Sequence, residues 1–185
     1  MALNEESLYT TLIGCLNNSA QAREALYKGF YGYVKGVVIR YVSDFHTAEE
    51  LVNDSFIKIF GNLGTFNALE KSGDIGIPFK AWIAKITSRT SIDYLRKKKI
   101  DFGREEIADY HIKPENGITG STDVKDILKL LNELPQTQKA IFNLYEIEGF
   151  THHEISAMLA IPENVSRSYL SRAKSRLKAL YIENF

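Results

Sequence analysis

Cysteine occurs only once in the 185 residues, at Cys15, so no disulfide framework can form within the chain and no cysteine-rich zinc site can be built. No apolar run approaches the ~20 residues needed to span a bilayer. The opening MALNEESLYT has neither the cationic nor the apolar region of a signal peptide. The expectation is a reduced, cytoplasmic protein without membrane insertion. Signatures of catalysis are missing as well. His152-His153-Glu154 begins like a zinc-protease helix, but the second imidazole would have to stand at position 157, which is Ala157. No glycine precedes Lys-Ser or Lys-Thr in phosphate-loop spacing, and no Ser/His/Asp or paired-carboxylate arrangement stands out. No enzyme, no cofactor and no metal ion is expected.

Net charge is also lacking: 23 Lys/Arg balance 23 Asp/Glu, which at first argues against a nucleic-acid partner. The distribution argues otherwise. Lys85 to Arg104 holds seven basic residues and two acidic ones, and Arg167 to Lys178 holds five basic and none acidic. The remainder carries eleven basic against twenty-one acidic residues, a net −10. Two cationic patches on an otherwise acidic protein suit two separate anionic contacts and a different partner for the acidic surface.

Strand signals are nearly absent, and apolar residues recur at three and four almost throughout, so the fold class is all-α. A length of 185 residues with 44% hydrophobic and 25% charged side chains suits one globular domain or two small ones. Glu5 to about Leu16 reads as a first helix. Ser19 caps a second that runs to about Val42 on Leu26, Phe30, Val34, Val37, Val38 and Tyr41, weakened by Gly29, Gly32 and Gly36 at roughly 1 kcal/mol each. Thr47-Ala48-Glu49-Glu50 has capping-box spacing and opens a third helix, to about Phe60, with Leu51, Val52, Phe56 and Ile59 inward. A long loop is expected from Thr65 to Pro78.

The stretch from Phe79 to Lys99 is organised around an apolar stripe of Phe79, Ile83, Ile86, Thr90 and Tyr94 beside Trp82. Lys85, Arg89 and Arg96 share a neighbouring flank. Alone, this fits a solvated amphipathic helix better than a phosphate-tracking, base-stacking surface, though both remain open. Ile100 to Thr122 keeps no period and reads as an extended, partly disordered linker.

Beyond it, Asp123 to Leu134 is amphipathic and stops at Pro135. Gln136 to Ile147 comes next, with Ile141, Leu144 and Tyr145 inward and Gly149 past its end. Thr151-His152-His153-Glu154 is a second capping box, opening a short helix to Ala160 on Ile155, Met158 and Leu159. Ile161 to Asn164 makes a tight turn before a helix from Val165 to about Tyr181 that buries Tyr169 or Leu170, Ala173 and Leu177. A short capped helix, a turn and a longer basic helix is the helix-turn-helix pattern; a helical hairpin in a bundle is the plainer possibility. Five basic residues without an acid favour DNA binding.

Ala48 to Phe60, with Phe79-Lys80-Ala81-Trp82-Ile83 through Ser91-Ile92-Asp93-Tyr94-Leu95-Arg96, resembles region 2 of bacterial sigma factors. Leu134-Pro135 and the segment ending Ser168-Tyr169-Leu170-Ser171-Arg172-Ala173-Lys174 resemble region 4. Two such regions and a linker resemble the layout of the extracytoplasmic-function (ECF) group. The resemblance implies two small helical domains, 1–99 and 122–185, the second a helix-turn-helix, joined by a flexible linker over 100–121. It implies a sigma factor that binds core RNA polymerase and promoter DNA, and it leads us to expect an anti-sigma factor. By it, Glu50, Asn53 and Asp54 would hold core polymerase. Lys85, Arg89 and Arg96 would face the −10 element, and Arg167, Ser168, Ser171, Arg172 and Lys174 would read the −35 element. Arg89 stands where the family usually has Asn, the 65–78 loop is longer than its norm, and Asn164 replaces the common turn glycine, able to adopt the left-handed conformation. The alternative is a helix-turn-helix regulator with an N-terminal sensor or dimerisation domain.

Overall fold

The computed structural model describes residues 5–67, 75–98, 100, 102 and 129–184, and among these there are helices and turns but no strand. The chain divides into two compact units, Met1–Tyr94 and Leu95–Phe185. The expected linker over 100–121 lies almost wholly outside the described residues, as does the expected helix from Asp123 up to residue 128. No helix among the described residues is long and apolar enough to cross a membrane.

The first unit begins with α1 (Glu5–Leu16) and α2 (Ala20–Val38). The chain turns between them at Asn18, whose φ of 61° is left-handed, a conformation Asn tolerates better than most residues. Ser19 accepts from the Ala22 N–H as the sequence suggests. The two helices meet closely at Gly14, where an added Cβ would stand 2.7 Å from that of Ala22. Gly32 and Gly36 have open space instead, so they are not sites of close packing.

Helix α3 (Phe45–Asn62) starts three residues earlier than the capping-box spacing predicts. Asp44 is its cap, accepting from the Thr47 N–H at 2.8 Å. Thr47 Oγ1 lies 3.3 Å from Tyr94 Oη and so links two helices. An Asp at the cap position outranks Thr because its charged carboxylate makes the stronger acceptor for the orphan N–H groups. Gly61 does not stop the helix, which tightens into a 3-10 turn over Leu63–Thr65.

Helix α4 (Gly76–Lys97) begins inside the predicted loop, with Pro78 in its first turn, where a missing N–H costs nothing. Residues 68–74 of that loop lie outside the described residues. Phe79, Ile83 and Thr90 are buried as expected, but Ile86 and Tyr94 are only half-buried. The buried arc runs well past the apolar stripe to take in Thr87, Ser88, Ser91, Ile92 and Leu95. Periodicity missed these hydroxyls because each satisfies itself: Thr87, Ser88, Thr90 and Ser91 all donate to the carbonyl four residues back, at 2.8–3.0 Å.

In the second unit, helical turns at 129–132 precede Pro135, which caps α5 (Gln136–Phe142). The chain then widens into a π-type stretch, Asn143–Ile147, and Gly149 lies beyond it at φ 71°. Ile141 and Leu144 are buried, but Tyr145 is exposed, contrary to its expected inward position. The wider turn rotates the residues after it, and one residue of excess carries a side chain off the buried face. Helices α6 (His152–Leu159) and α7 (Glu163–Asn184) complete the unit. Leu131, Leu134 and Ala173 form a core cluster, with Phe142 and Leu177 packed on it.

Candidate nucleic-acid interface

Thr151 and Glu154 form the reciprocal capping box the spacing predicts. Ile155 and Leu159 are buried under α6, and Met158 is half-buried. The turn to α7 is shorter than expected. Ala160 takes the left-handed conformation at φ 55°, Ser156 Oγ donates to the Ile161 carbonyl at 2.6 Å, and α7 opens directly after Pro162. Asn164 therefore lies within the helix and is not the left-handed residue of the turn. The residue that bears the left-handed strain is Ala160, because Pro162 and the buried Ile161 leave the chain no later place to reverse.

On α7 both Tyr169 and Leu170 are buried, together with Ser166 and Ala173. Turned away from that face, Arg167, Ser171, Lys174 and Lys178 recur at four, three and four, and all four are exposed. Ser168 and Arg172 are exposed on the adjoining strip. The structure therefore brings the five expected −35 residues onto one surface, but it also gives them local partners. Arg167 Nη2 donates to Glu163 Oε1, and Ser168 Oγ donates to the Asn164 carbonyl at 3.0 Å. Lys174 Nζ lies 2.6 Å from Glu146 Oε1, and the Arg172 guanidinium sits 5.7 Å from the Tyr169 ring centre.

His152 anchors α6 to this helix. Its ring stacks on Tyr145 with centroids 4.4 Å apart, and its Nδ1 is 2.9 Å from Ser166 Oγ. Burial, then the nearby Arg167 charge, push its pKa below the ordinary value; Glu163 pulls it up by less, and Lys174 adds a still smaller downward push.

On α4, Arg89 and Arg96 are exposed and Lys85 is half-buried. Arg89 borders a cavity of about 310 Å³ with Trp82, Lys58, Asn62 and Asp93 among its walls. Lys58 and Asp93 approach to 3.5 Å across it. Trp82 is stacked on Phe79 (5.8 Å, 27°) and touches Phe66 (5.5 Å), so its ring is held at the rim. Arg96 and Lys85 are not among the residues of that cavity. Sequence reasoning missed Lys58, Asn62 and Asp93 as walls; residues 31 to 35 apart on two helices leave no local signal.

The acidic face sorts itself on α3. Glu50 and Asp54 are exposed one turn apart. Asn53 is exposed and accepts from Tyr27 Oη at 3.0 Å. Their neighbour Glu49 points elsewhere, accepting from Lys35 Nζ at 2.5 Å and from Tyr31 Oη at 2.6–2.7 Å. Those bonds, the lysine's first, hold its pKa below the usual carboxylate value and raise those of Lys35 and Tyr31.

Two family models match the chain: "Sigma-70 region 2" over residues 26–100 and "Sigma-70, region 4" over 125–177. Among curated proteins, the ECF RNA polymerase sigma factor SigM of Bacillus subtilis is 24% identical over 161 residues, covering 85% of this chain and 94% of that protein. SigW of the same organism is 24% identical, covering 75% and 78%. The ECF sigma-E factor of Haemophilus influenzae is 25% identical, covering 85% and 86%. Among solved structures, CnrH in complex with the cytosolic domain of CnrY has a TM-score of 0.50 at 15% identity, covering 96% of this chain and 98% of that one. The sigma factor RpoE of Bartonella quintana, in complex with the anti-sigma factor NepR, has a TM-score of 0.50 at 23% identity, covering 85% and 95%. At these identities the two structures show likeness of fold alone.

Proposed function

The chain belongs to the sigma-70 family of transcription initiation factors, in its extracytoplasmic-function group, and we propose that it binds core RNA polymerase and directs it to promoters through −10 and −35 contacts. One observation carries this reading. Region 2 and region 4 fall in that order on the chain, and each supplies a helix whose exposed flank is cationic.

In this reading Glu50, Asn53 and Asp54 of α3 hold the polymerase, and Lys85, Arg89 and Arg96 of α4 face the −10 element. Arg167, Ser168, Ser171, Arg172 and Lys174 of α7 meet the −35 element from the major groove. The working division is 1–99 for the first domain, 100–121 for the linker and 122–185 for the second.

Energetics require the larger partner. Opening about ten base pairs costs on the order of 14 kcal/mol at ~1.4 kcal/mol per step. A few aromatic stacks at ~1–3 kcal/mol per base cannot offset that alone. The chain performs no catalysis of its own and works in the cytoplasm, where the polymerase is. Because the two structural neighbours were solved with the cytosolic domain of CnrY and with the anti-sigma factor NepR, a protein inhibitor is proposed here as well.

Run-off transcription with purified core polymerase and no other sigma factor tests the proposal. Specific transcripts that appear only when this chain is added support it. A requirement for a second sigma factor would make the chain a helix-turn-helix regulator instead.

A further inference from the structure

We propose that Glu163 is a specificity-determining residue of promoter recognition, acting as one unit with Arg167 at the leading end of α7. The inference rests on the reading of α7 as the −35 helix. Glu163 is the first residue of that helix, and its Oε1 accepts from Arg167 Nη2 one turn on. Its Oε2 lies 4.0 Å from Nδ1 of His153 on α6, so the carboxylate is flanked from both helices. The three side chains border the mouth of one cavity of about 480 Å³.

A carboxylate on a surface that approaches phosphates repels them, so its presence at the tip of this helix needs a use. Complementing the helix dipole is one, but that role is met by any orientation of the side chain and does not call for a bond to Arg167. The bond has two consequences. It cancels the charge of Arg167, which then adds little to the general attraction for DNA. It also turns the guanidinium fork and leaves carboxylate lone pairs beside it. Arginine matches the O6 and N7 acceptors of guanine, and a carboxylate matches the N4 amino group of cytosine. The pair therefore presents a donor and an acceptor side by side, and it reads adjacent G and C edges in preference to holding the backbone.

The test is selection from promoter duplexes randomised across the −35 segment, using the full chain assembled with core polymerase, and then binding over a salt series. The wild type is expected to enrich a G or C at neighbouring positions. Glu163→Gln leaves Arg167 a full cation, so affinity for the unselected pool rises about threefold and the log–log salt slope steepens by about 0.9. Preference at the enriched positions falls on the order of tenfold. Glu163→Asp keeps the charge at the helix terminus but is too short for the pair; it loses the preference without the rise in pool affinity. An unchanged motif in both variants overturns the inference, as does an unchanged motif in Arg167→Ala. If the wild type itself enriches nothing, the reading of α7 fails and this inference with it.

Discussion

His152 Nδ1 stands 2.9 Å from Ser166 Oγ, and this contact between two buried side chains fastens the short helix α6 to the first turns of α7. Ser166→Ala removes the partner but leaves the imidazole nitrogen buried, at a cost of about 1–3 kcal/mol. Chemical denaturation of the full chain measures that loss.

The same contact sets a pH dependence. Burial holds the His152 pKa below its ordinary 6.5, so protons bind the unfolded chain more readily than the folded one. Stability contributed by the neutral ring is complete above pH 6.5 and is lost as the pH falls from there toward the folded-state value. A melting curve recorded at intervals below pH 6.5 is expected to shift to lower temperature, and His152→Phe is expected to flatten that dependence.

Glycines of the first unit divide by what surrounds them. Gly14→Ala would force a Cβ against that of Ala22 at 2.7 Å, with no flexible side chain to yield, and is expected to destabilise by about 1–3 kcal/mol. Gly32→Ala and Gly36→Ala, within α2, meet nothing within 4 Å and are expected to stabilise by about 0.5–1 kcal/mol each. Thermal melts separate the two classes by sign.

Lys139 is buried in α5 with Asn132 Oδ1 at 2.6 Å as the hydrogen-bond acceptor of its amine, and burial lowers its pKa. Replacing a buried cation by an apolar side chain of similar length relieves its desolvation. Lys139→Met is expected to raise stability by about 1 kcal/mol, read as a melting temperature about 2–4 °C higher.

Asn53→Ala with Asp54→Ala is expected to weaken capture by core polymerase in a pull-down or gel shift while leaving the circular-dichroism melt nearly unchanged. Both side chains are exposed, and among the described residues only Asn53 has a side-chain bond to lose, the one from Tyr27. Glu49→Ala provides the contrast. It strips Lys35 and Tyr31 of their shared acceptor and is expected to lower the melt, with less effect on capture. A large loss of stability in the first variant would make Asn53 and Asp54 structural.

Much of the fold was legible because helices announce themselves locally. The α1 boundaries, the Ser19 cap and the Thr151–Glu154 box all rest on side chains within four residues of the backbone groups they satisfy. The first misreading was the start of α3, where Asp44 and Thr47 both had cap chemistry and position alone decided between them. The second was α4, whose buried serines and threonines read as polar because their internal hydrogen bonds are invisible in a residue pattern. Tyr145 and Asn164 were misplaced for a related reason, since a π-type widening and a left-handed alanine both break the period on which the reading depended.

The candidate interface shows the same division. By itself the sequence determined an all-helical chain, its two cationic stretches and the face on which Arg167, Ser171 and Lys174 lie, since one helix turns every residue through a fixed angle. Only the tertiary structure decided that Arg89 and Trp82 share a cavity with Lys58 and Asp93, that Glu49 turns away from Glu50 and Asp54, and that Lys174 meets Glu146. Those meetings depend on how separate helices pack, and packing is set by the shape and burial of the whole side-chain set rather than any local repeat.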